Sequence, residues 1–396
     1  MEQKPITMVE YYEAQEFNPV LIRVEDPVVW QEHVAKRRNL YERHLGLPLT
    51  LLQGRRVLEF GCNSGENALV LAGFGARLTF VEPNPQVAPR LRHLFRTFGR
   101  EEAIEAFHQA DIASFQTDDH FDVVVAEGFL STLPDRDAML RKIAGLVNPG
   151  GFGVISFNDR CGGLLEMLKR AILFRSYALA HVADVQSDQA LELARSYFEE
   201  DFLKLNASRT FETWWRDTMV APVYSDAHLW SFPQIVPILE QQGAAVHATS
   251  PVWSTREHYT WYKNVPDPKQ HSVQLLEDWK RNLFFFLTGL RPSSVDRPVP
   301  EGVLEDAARL VRALSSIGNN LSPAVPAAIE AKDLLRHLAA DPQEQARNFA
   351  GQLERMLGAL RSDSSSDLRS AYLASDLLRS LWGTAYHYLC FRMPTD

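Results

Sequence analysis

The sequence predicts an α/β protein built on a doubly wound parallel sheet, with a helical lid insertion and an all-helical C-terminal region. Three observations carry this reading. Short apolar β-branched runs alternate with helical stretches between residues 55 and 160. A glycine-containing loop follows the first of these runs directly. Beyond about Pro266, amphipathic helical segments are separated by Pro/Ser/Asn-rich breaks such as RPSSVDRPVP, GNNLSPAVP and RSDSSSD.

The elements follow in chain order. Residues 1–54 are mixed, with aromatics at Tyr11, Tyr12, Phe17, Trp30 and Tyr41 and a helix expected over Trp30–His44. The strand-like runs are Arg56–Phe60, Ala76–Val81, Phe121–Ala126 and Phe152–Phe157. Residues 160–230 interrupt the alternation with helical, aromatic-rich sequence. From Phe232, PQIVPILEQQG reads as a helix closed by Gly243, and AAVHATSPV and HYTWYKNV as two strands joined by a turn. NFAGQLERMLGAL sets Phe349, Leu353, Met356, Leu357 and Leu360 on one helical face, and DLRSAYLASDLLRSLWGTAYHYLCF reads likewise. The expected division is an extension over 1–54, an α/β domain over 55–266 with its lid at 160–230, and a helical domain over 267–396.

Composition narrows the function. The chain has 396 residues, 41 Lys+Arg against 50 Asp+Glu, and a net charge of −9. Residues 267–396 hold 15 basic and 16 acidic residues, so residues 1–266 carry nearly all of the excess. A broad nucleic-acid or anionic-membrane footprint is not expected. No stretch approaches the roughly 20 apolar residues of a membrane span, and MEQKPITMVEYYEAQEF lacks the charged-then-apolar order of a signal peptide. Cys62, Cys161 and Cys390 lie far apart without a CxxC, so a reduced cytoplasmic protein is expected.

The chemistry is concentrated in RRVLEFGCNSGENALVLAGFGARLTFVEPNP. A strand ends near Glu59 and is followed by the tight loop Gly61-Cys62-Asn63-Ser64-Gly65 and a helix from about Glu66. Glycines allow positive φ and a close ligand approach, and Asn tolerates the left-handed region better than most residues. Such a loop aims backbone N–H groups and a helix N-terminus into the crevice at the carboxyl edge of a sheet. The next strand also ends in an acid, Glu82, where a carboxylate can accept both hydroxyls of a ribose. A dinucleotide fingerprint needs Gly at 63 and 66, but the chain has Asn63 and Glu66. Glu66 in that first turn would repel a pyrophosphate, whereas acids at 59 and 66 are tolerable or helpful beside the sulfonium and ammonium of S-adenosylmethionine.

With these residues in place, the segment resembles motif I and the following acidic loop of class I S-adenosylmethionine-dependent methyltransferases. Their acid-x-Gly-x-Gly-x-Gly pattern appears as Glu59-Phe60-Gly61-Cys62-Asn63-Ser64-Gly65, with Asn63 in place of the central Gly. The resemblance implies a Rossmann-like seven-stranded sheet with a reversed hairpin supplied by residues 232–265. It implies S-adenosyl-L-methionine as cofactor, held by Glu59, Gly61, Asn63, Gly65, Glu82, Pro83, Asp111, Ile112 and Glu127. Asp111 in HQADIASF takes the position near the adenine amino group, although it could equally cap the turn Ile112–Phe115. FDVVVAEGFLSTLPD matches the fourth strand, and Pro149-Gly150-Gly151 the turn into the fifth. Cys62 reads as a small loop filler.

In this fold the methyl group points over the carboxyl ends of strands four and five, here Glu127-Gly128-Phe129-Leu130 and Asn158-Asp159. The expected catalytic candidates are His228, Asp159 and His181, and the expected acceptor walls are Trp214, Trp215, Tyr224 and Phe129. The alternative for the run TWWRDTMVAPVYSDAHLW is a satellite core in which the tryptophans pack while Asp217 and His228 cap turns. Tyr11, Tyr12 and Phe17 are expected to close over the cofactor, by analogy with the family. His93, His108, His120, His181, His228, His247 and His258 show no metal-ligand spacing, so metal-independent transfer is expected. The expected partner is a small-molecule acceptor such as a sugar or secondary metabolite, methylated on O or N. No nucleic acid or membrane is expected, and the helical C-terminal region could form a homodimer. The rival readings are a protein or RNA methyltransferase that docks through this region, and a binding protein with a vestigial cofactor fold.

Overall fold

A computed structural model describes residues 11, 22–205, 209–222, 224–253, 261, 263, 268–291, 299–321, 325, 329 and 331–395. The chain forms two compact units. One, the sheet unit, comprises Val20–Phe157, Trp230–Trp279 and His387–Asp396; the other, the helical unit, comprises Met1–Pro19, Asn158–Leu229 and Lys280–Tyr386.

The strands are β1 (Arg56–Phe60), β2 (Arg77–Val81), β3 (Ile104–His108), β4 (Phe121–Ala126), β5 (Val147–Asp159), β6 (Leu229–Trp230), β7 (Ala245–Ser250) and β8 (Tyr386–Arg392). Their order is β3-β2-β1-β4-β5-β8-β7, with the two-residue β6 also paired to β5. β1 runs parallel to β2 and β4, with Phe60 opposite both Val81 and Ala126. This register brings the carboxyl ends of β1, β2 and β4 to one edge. Glu59, Glu82 and Glu127 therefore share that edge although 68 residues of sequence separate the first from the last. Val57, Leu58, Leu78, Phe80, Val124 and Val125 are fully buried, as expected of parallel strands covered on both faces.

The helices on the sheet owe their placement to amphipathic spacing. Helix Val87–Thr97 buries Val87, Leu91 and Phe95. Phe95 meets Phe80 edge-to-face, with ring centroids 6.0 Å apart. Helix Pro27–Arg38 starts at Asp26, whose carboxylate accepts the Val28 and Val29 N–H groups, and continues as a π-helical turn over Asn39–His44.

The C-terminal region needs one correction. It is not all-helical: β8 pairs antiparallel with β7, Ala245 opposite Arg392 and Ser250 opposite Tyr388. The Gly150 N–H also reaches the Pro394 carbonyl at 2.8 Å, tying the same segment to the start of β5. Helical periodicity ends at Ser380, Gly383 turns with φ +72°, and Tyr386–Arg392 then buries His387, Leu389, Cys390 and Phe391. The aromatic and alternating character of YHYLCF marks a strand once the helix has stopped. The expected strand HYTWYKNV lies outside the described residues except for Trp261 and Lys263. The helical stretch 268–380 thus lies between two paired strands.

The helical unit is organised around helix Leu164–Leu179, which is buried along most of its length, with helix Glu301–Ile317 packed against it. Two buried basic side chains on this helix, Arg170 and Lys169, donate mainly to backbone carbonyls. Arg170 donates to the carbonyls of Thr218 at 2.6 Å and Gly318 at 2.9 Å and to Asn319 Oδ1 at 2.7 Å. Lys169 donates to the Leu381 carbonyl at 2.5 Å and sits 4.4 Å from the Trp382 ring centre. No described helix is long and apolar enough to cross a membrane.

Candidate cofactor crevice and acceptor residues

The crevice begins with the loop after β1. Gly61, Asn63 and Gly65 all have positive φ, +66°, +45° and +92°, so the loop turns back in the conformation that their residue types allow. At Gly61 a Cβ would lie 2.7 and 2.8 Å from Phe129 ring atoms. The bare backbone is what lets Phe129 lie over the loop. Gly65 opens helix Glu66–Gly73, and Cys62 is buried in the loop with its thiol pushed up by burial.

Three acids line the strand ends. Glu82 is buried, and its Oε1 accepts the Asn84 N–H at 3.0 Å. Burial raises its pKa, while the backbone N–H groups of Asn84 and Asn63 pull the other way. Glu59 is 4% exposed, and among the described residues its Oε2 has no hydrogen-bond partner. Burial, then the neighbouring Glu127 carboxylate, pushes Glu59 up to about 8. An orphaned acceptor beside a left-handed loop fits a ligand that brings its own cation.

Glu127, an expected cofactor contact, is held within a network of protein donors. Its carboxylate accepts both Arg37 Nη groups, at 2.7 and 2.8 Å. Tyr41 Oη and Asn67 Nδ2 are each 3.3 Å away and Tyr388 Oη is 3.5 Å away. Glu127 is thus enclosed by four donor side chains. The sequence reading missed Arg37, Asn67 and Tyr388, and noted Tyr41 only as an aromatic. A signal was present, because Trp30, Val34, Arg37 and Tyr41 recur at helical spacing, and a charge on an apolar stripe asks for a buried partner.

The remaining cofactor candidates are distributed along the same edge. Asp111 is exposed and accepts the Ser114 N–H at 2.7 Å, which holds its carboxyl below the usual range. It caps the turn, the alternative the sequence left open. Ile112 is buried behind it, and Pro83 is exposed after β2. The Gly128 N–H donates to Ser156 Oγ at 2.7 Å, tying the end of β4 to β5.

The helical unit holds the other candidates. Trp214 and Trp215 are 4% and 1% exposed and belong to its core, contrary to their expected place on a pocket wall. Trp214 packs among Phe198, Phe202, Phe211 and Trp382. Trp215 Nε1 donates to Tyr177 Oη at 3.0 Å. A tryptophan pair flanked by Phe211 and the Phe198–Phe202 helix face has enough apolar area to seal itself. Tyr224 is buried and donates to Glu166. His228 Nδ1 lies 3.0 Å from Ser225 Oγ and accepts the Ser225 N–H, closing a capping box. Asp217 pairs with Arg209. Asp159 is fully buried, and its Oδ1 accepts the Gly162 N–H at 2.8 Å. Burial pushes its carboxyl up to about 7. His181 is exposed in a left-handed turn after helix Leu164–Leu179. Tyr11 Oη donates to the Arg216 carbonyl at 3.0 Å, while Tyr12 and Phe17 lie outside the described residues.

In the sheet unit, helix Val87–Thr97 exposes Arg90, Arg92, His93 and Arg96 and contains no acid, with Arg96 paired to Glu101 at 2.8 Å. Among the described residues, no group of three or more His, Cys, Asp and Glu has the arrangement of a metal site.

Comparison with known proteins follows the same segment. Residues 31–217 match the family model described as a methyltransferase domain. The chain is 35% identical over 114 residues to the ubiquinone biosynthesis O-methyltransferase of Aeromonas salmonicida, covering 28% of this chain and 45% of that one. It is 31% identical over 113 residues to the protein of the same name from Bordetella avium, with the same shares covered. The chain therefore spans less than half the length of these curated relatives. Among solved structures, N-methyltransferase NodS from Bradyrhizobium japonicum WM9, bound to S-adenosyl-L-homocysteine, matches at a TM-score of 0.30 and 22% identity, over 38% of this chain and 74% of that one.

Proposed function

Because residues 31–217 match the family model described as a methyltransferase domain, we propose that this chain is a class I S-adenosylmethionine-dependent enzyme that transfers a methyl group to O or N of a small molecule. The observation that carries the reading is the pairing of a left-handed Gly61–Gly65 loop with the orphaned Oε2 of Glu59. In this reading Glu59 takes the cofactor's ammonium, Glu82 the ribose hydroxyls, and Asp111 and Ile112 flank the adenine. Bound cofactor supplies an electrophilic methyl on a sulfonium. The protein's task is to hold an acceptor lone pair about 3 Å away and in line, with water excluded. The relatives' role in ubiquinone biosynthesis supports a small hydroxylated acceptor. Metal independence, cytoplasmic location and a homodimer through residues 267–396 belong to the same proposal.

The test is calorimetric titration of S-adenosylmethionine, followed by labelled-methyl transfer to a panel of phenols, sugars and amines, with and without EDTA. No heat at millimolar cofactor, or an unchanged affinity in Glu82→Ala, sinks the reading. One observation favours a second reading, the exposed Arg90 and Arg92 on a helix without an acid, which suit a phosphate backbone. Labelling of bulk RNA, with retention lost steeply as salt rises, would select it.

A further inference from the structure

We propose that Glu59 makes cofactor binding proton-coupled: its buried carboxyl group is neutral in the free protein and ionises as the cofactor's α-ammonium docks. This rests on the assignment of the crevice to S-adenosylmethionine.

The observation is a mismatch of charge at the strand ends. Glu59 and Glu82 are buried and the Glu127 side chain is 8% exposed, and among the described residues the guanidinium acting on Glu59 is that of Arg37. Arg37 spends both Nη groups on Glu127, which also draws on Tyr41, Asn67 and Tyr388. Glu82 is stabilised by the Asn84 N–H of its own turn. Glu59 has neither aid, and its Oε2 has no partner among the described residues although the residue is 96% removed from solvent. The groups facing it are the acids Glu127 and Glu82, the Arg37 cation, the Tyr41 phenol and the Cys62 thiol. Two carboxylates against one committed cation leave an ionised Glu59 uncompensated, and a buried carboxyl in that position holds its proton. Its upward shift to about 8 agrees.

An incoming ammonium changes the balance. The O–H bond of Glu59 breaks, its proton passes to solvent, and the resulting carboxylate pairs with the ligand's cation. No covalent bond to the ligand forms. Below about pH 8 each docking event therefore releases one proton, and affinity rises about tenfold per pH unit. At higher pH the ligand's own α-amino group loses its proton in solution and must regain it on docking, so the linkage reverses sign.

The experiment is calorimetry of the full chain at pH 6.5 in buffers of different ionisation enthalpy. The probes are S-adenosylhomocysteine and 5′-methylthioadenosine, which keeps the nucleoside and thioether without the ammonium. The expected result is release of close to one proton with the first and none with the second. Glu59→Gln is expected to abolish the release and weaken S-adenosylhomocysteine tenfold or more while leaving 5′-methylthioadenosine binding intact. Glu82→Gln is expected to keep the release. Tight S-adenosylhomocysteine binding without buffer dependence overturns the proposal and leaves the cofactor assignment standing. Undiminished release in Glu59→Gln also overturns it. Absence of any binding by either probe overturns both. If Glu59→Gln does not fold, the wild-type contrast between the two probes and the Glu82→Gln slope still decide.

Discussion

Arg37 and Glu127 meet through two parallel hydrogen bonds of 2.8 and 2.7 Å, although 90 residues separate them in sequence. The planar guanidinium fork matches both carboxylate oxygens, and the side chains are only 7% and 8% exposed. The N-terminal helix is thereby fastened to the end of β4, beside the loop that the cofactor reading depends on.

Breaking this pair from one side strands a buried charge. Arg37→Met is expected to cost about 3–5 kcal/mol. The double variant Arg37→Met with Glu127→Leu is expected to cost clearly less, because no charge is left behind. Urea unfolding midpoints measure both, and a double variant as damaged as the single one contradicts the account.

Gly61 is constrained twice, by a φ of +66° and by the Phe129 ring 2.7 Å from where a Cβ would stand. Gly61→Ala is expected to destabilise by about 2 kcal/mol or more and to weaken S-adenosylmethionine. Adding Phe129→Leu should recover the steric part and leave the backbone part. Thermal melts with paired titrations separate the two.

Glu59 also predicts the pH dependence of stability. Its folded pKa, about 8, lies above the ordinary 4.5, so the folded chain binds this proton more tightly than the unfolded one. Its contribution is then fully present below about pH 4.5 and is lost as pH rises towards 8, by at most about 1.4 kcal/mol per unit. Glu59→Gln does not ionise, so its stability relative to wild type should grow over that window while its ligand affinity falls. Unfolding curves at pH 5 and pH 8 check the sign, and a stability difference, variant minus wild type, that falls as pH rises would count against it.

Trp214→Ala is expected to cost about 3–5 kcal/mol, the price of a large side chain removed from a core. Trp215→Phe, which loses the bond to Tyr177, should cost about 1 kcal/mol. A variant that kept full stability and altered only acceptor KM would restore the pocket-wall role.

Deleting residues 386–396 removes β8 from between β5 and β7 and leaves unpaired backbone on both flanks. No cooperative melt is expected from the truncated chain. A truncated chain that melts as wild type does would show that the sheet closes without this strand.

The loop after β1 and the acids at the strand ends were legible because their signals are local. A Gly-x-Asn-x-Gly loop, an acid at each strand end and a helix from Glu66 lie in one stretch, and turn chemistry and hydrophobic period both act over such distances. Arg37, Asn67 and Tyr388 were not legible, because each gains its role from Glu127, to which only the folded chain brings them. The tryptophans misled for a related reason. An aromatic run has the same composition whether it lines a pocket or seals a core, and the neighbours Phe202 and Trp382 that decide between them are distant in sequence.

By itself the sequence determined the parallel α/β order, the left-handed loop at Gly61–Gly65 and the acids at 59 and 82, since these follow from backbone sterics and from side-chain period. Tertiary structure alone decided that a strand from the C-terminus closes the sheet. It also decided that Arg37 bonds Glu127, while Glu59 Oε2 is left without a hydrogen-bond partner among the described residues. Charge pairing in a buried site depends on which groups the fold brings within hydrogen-bond reach, and no local pattern encodes that.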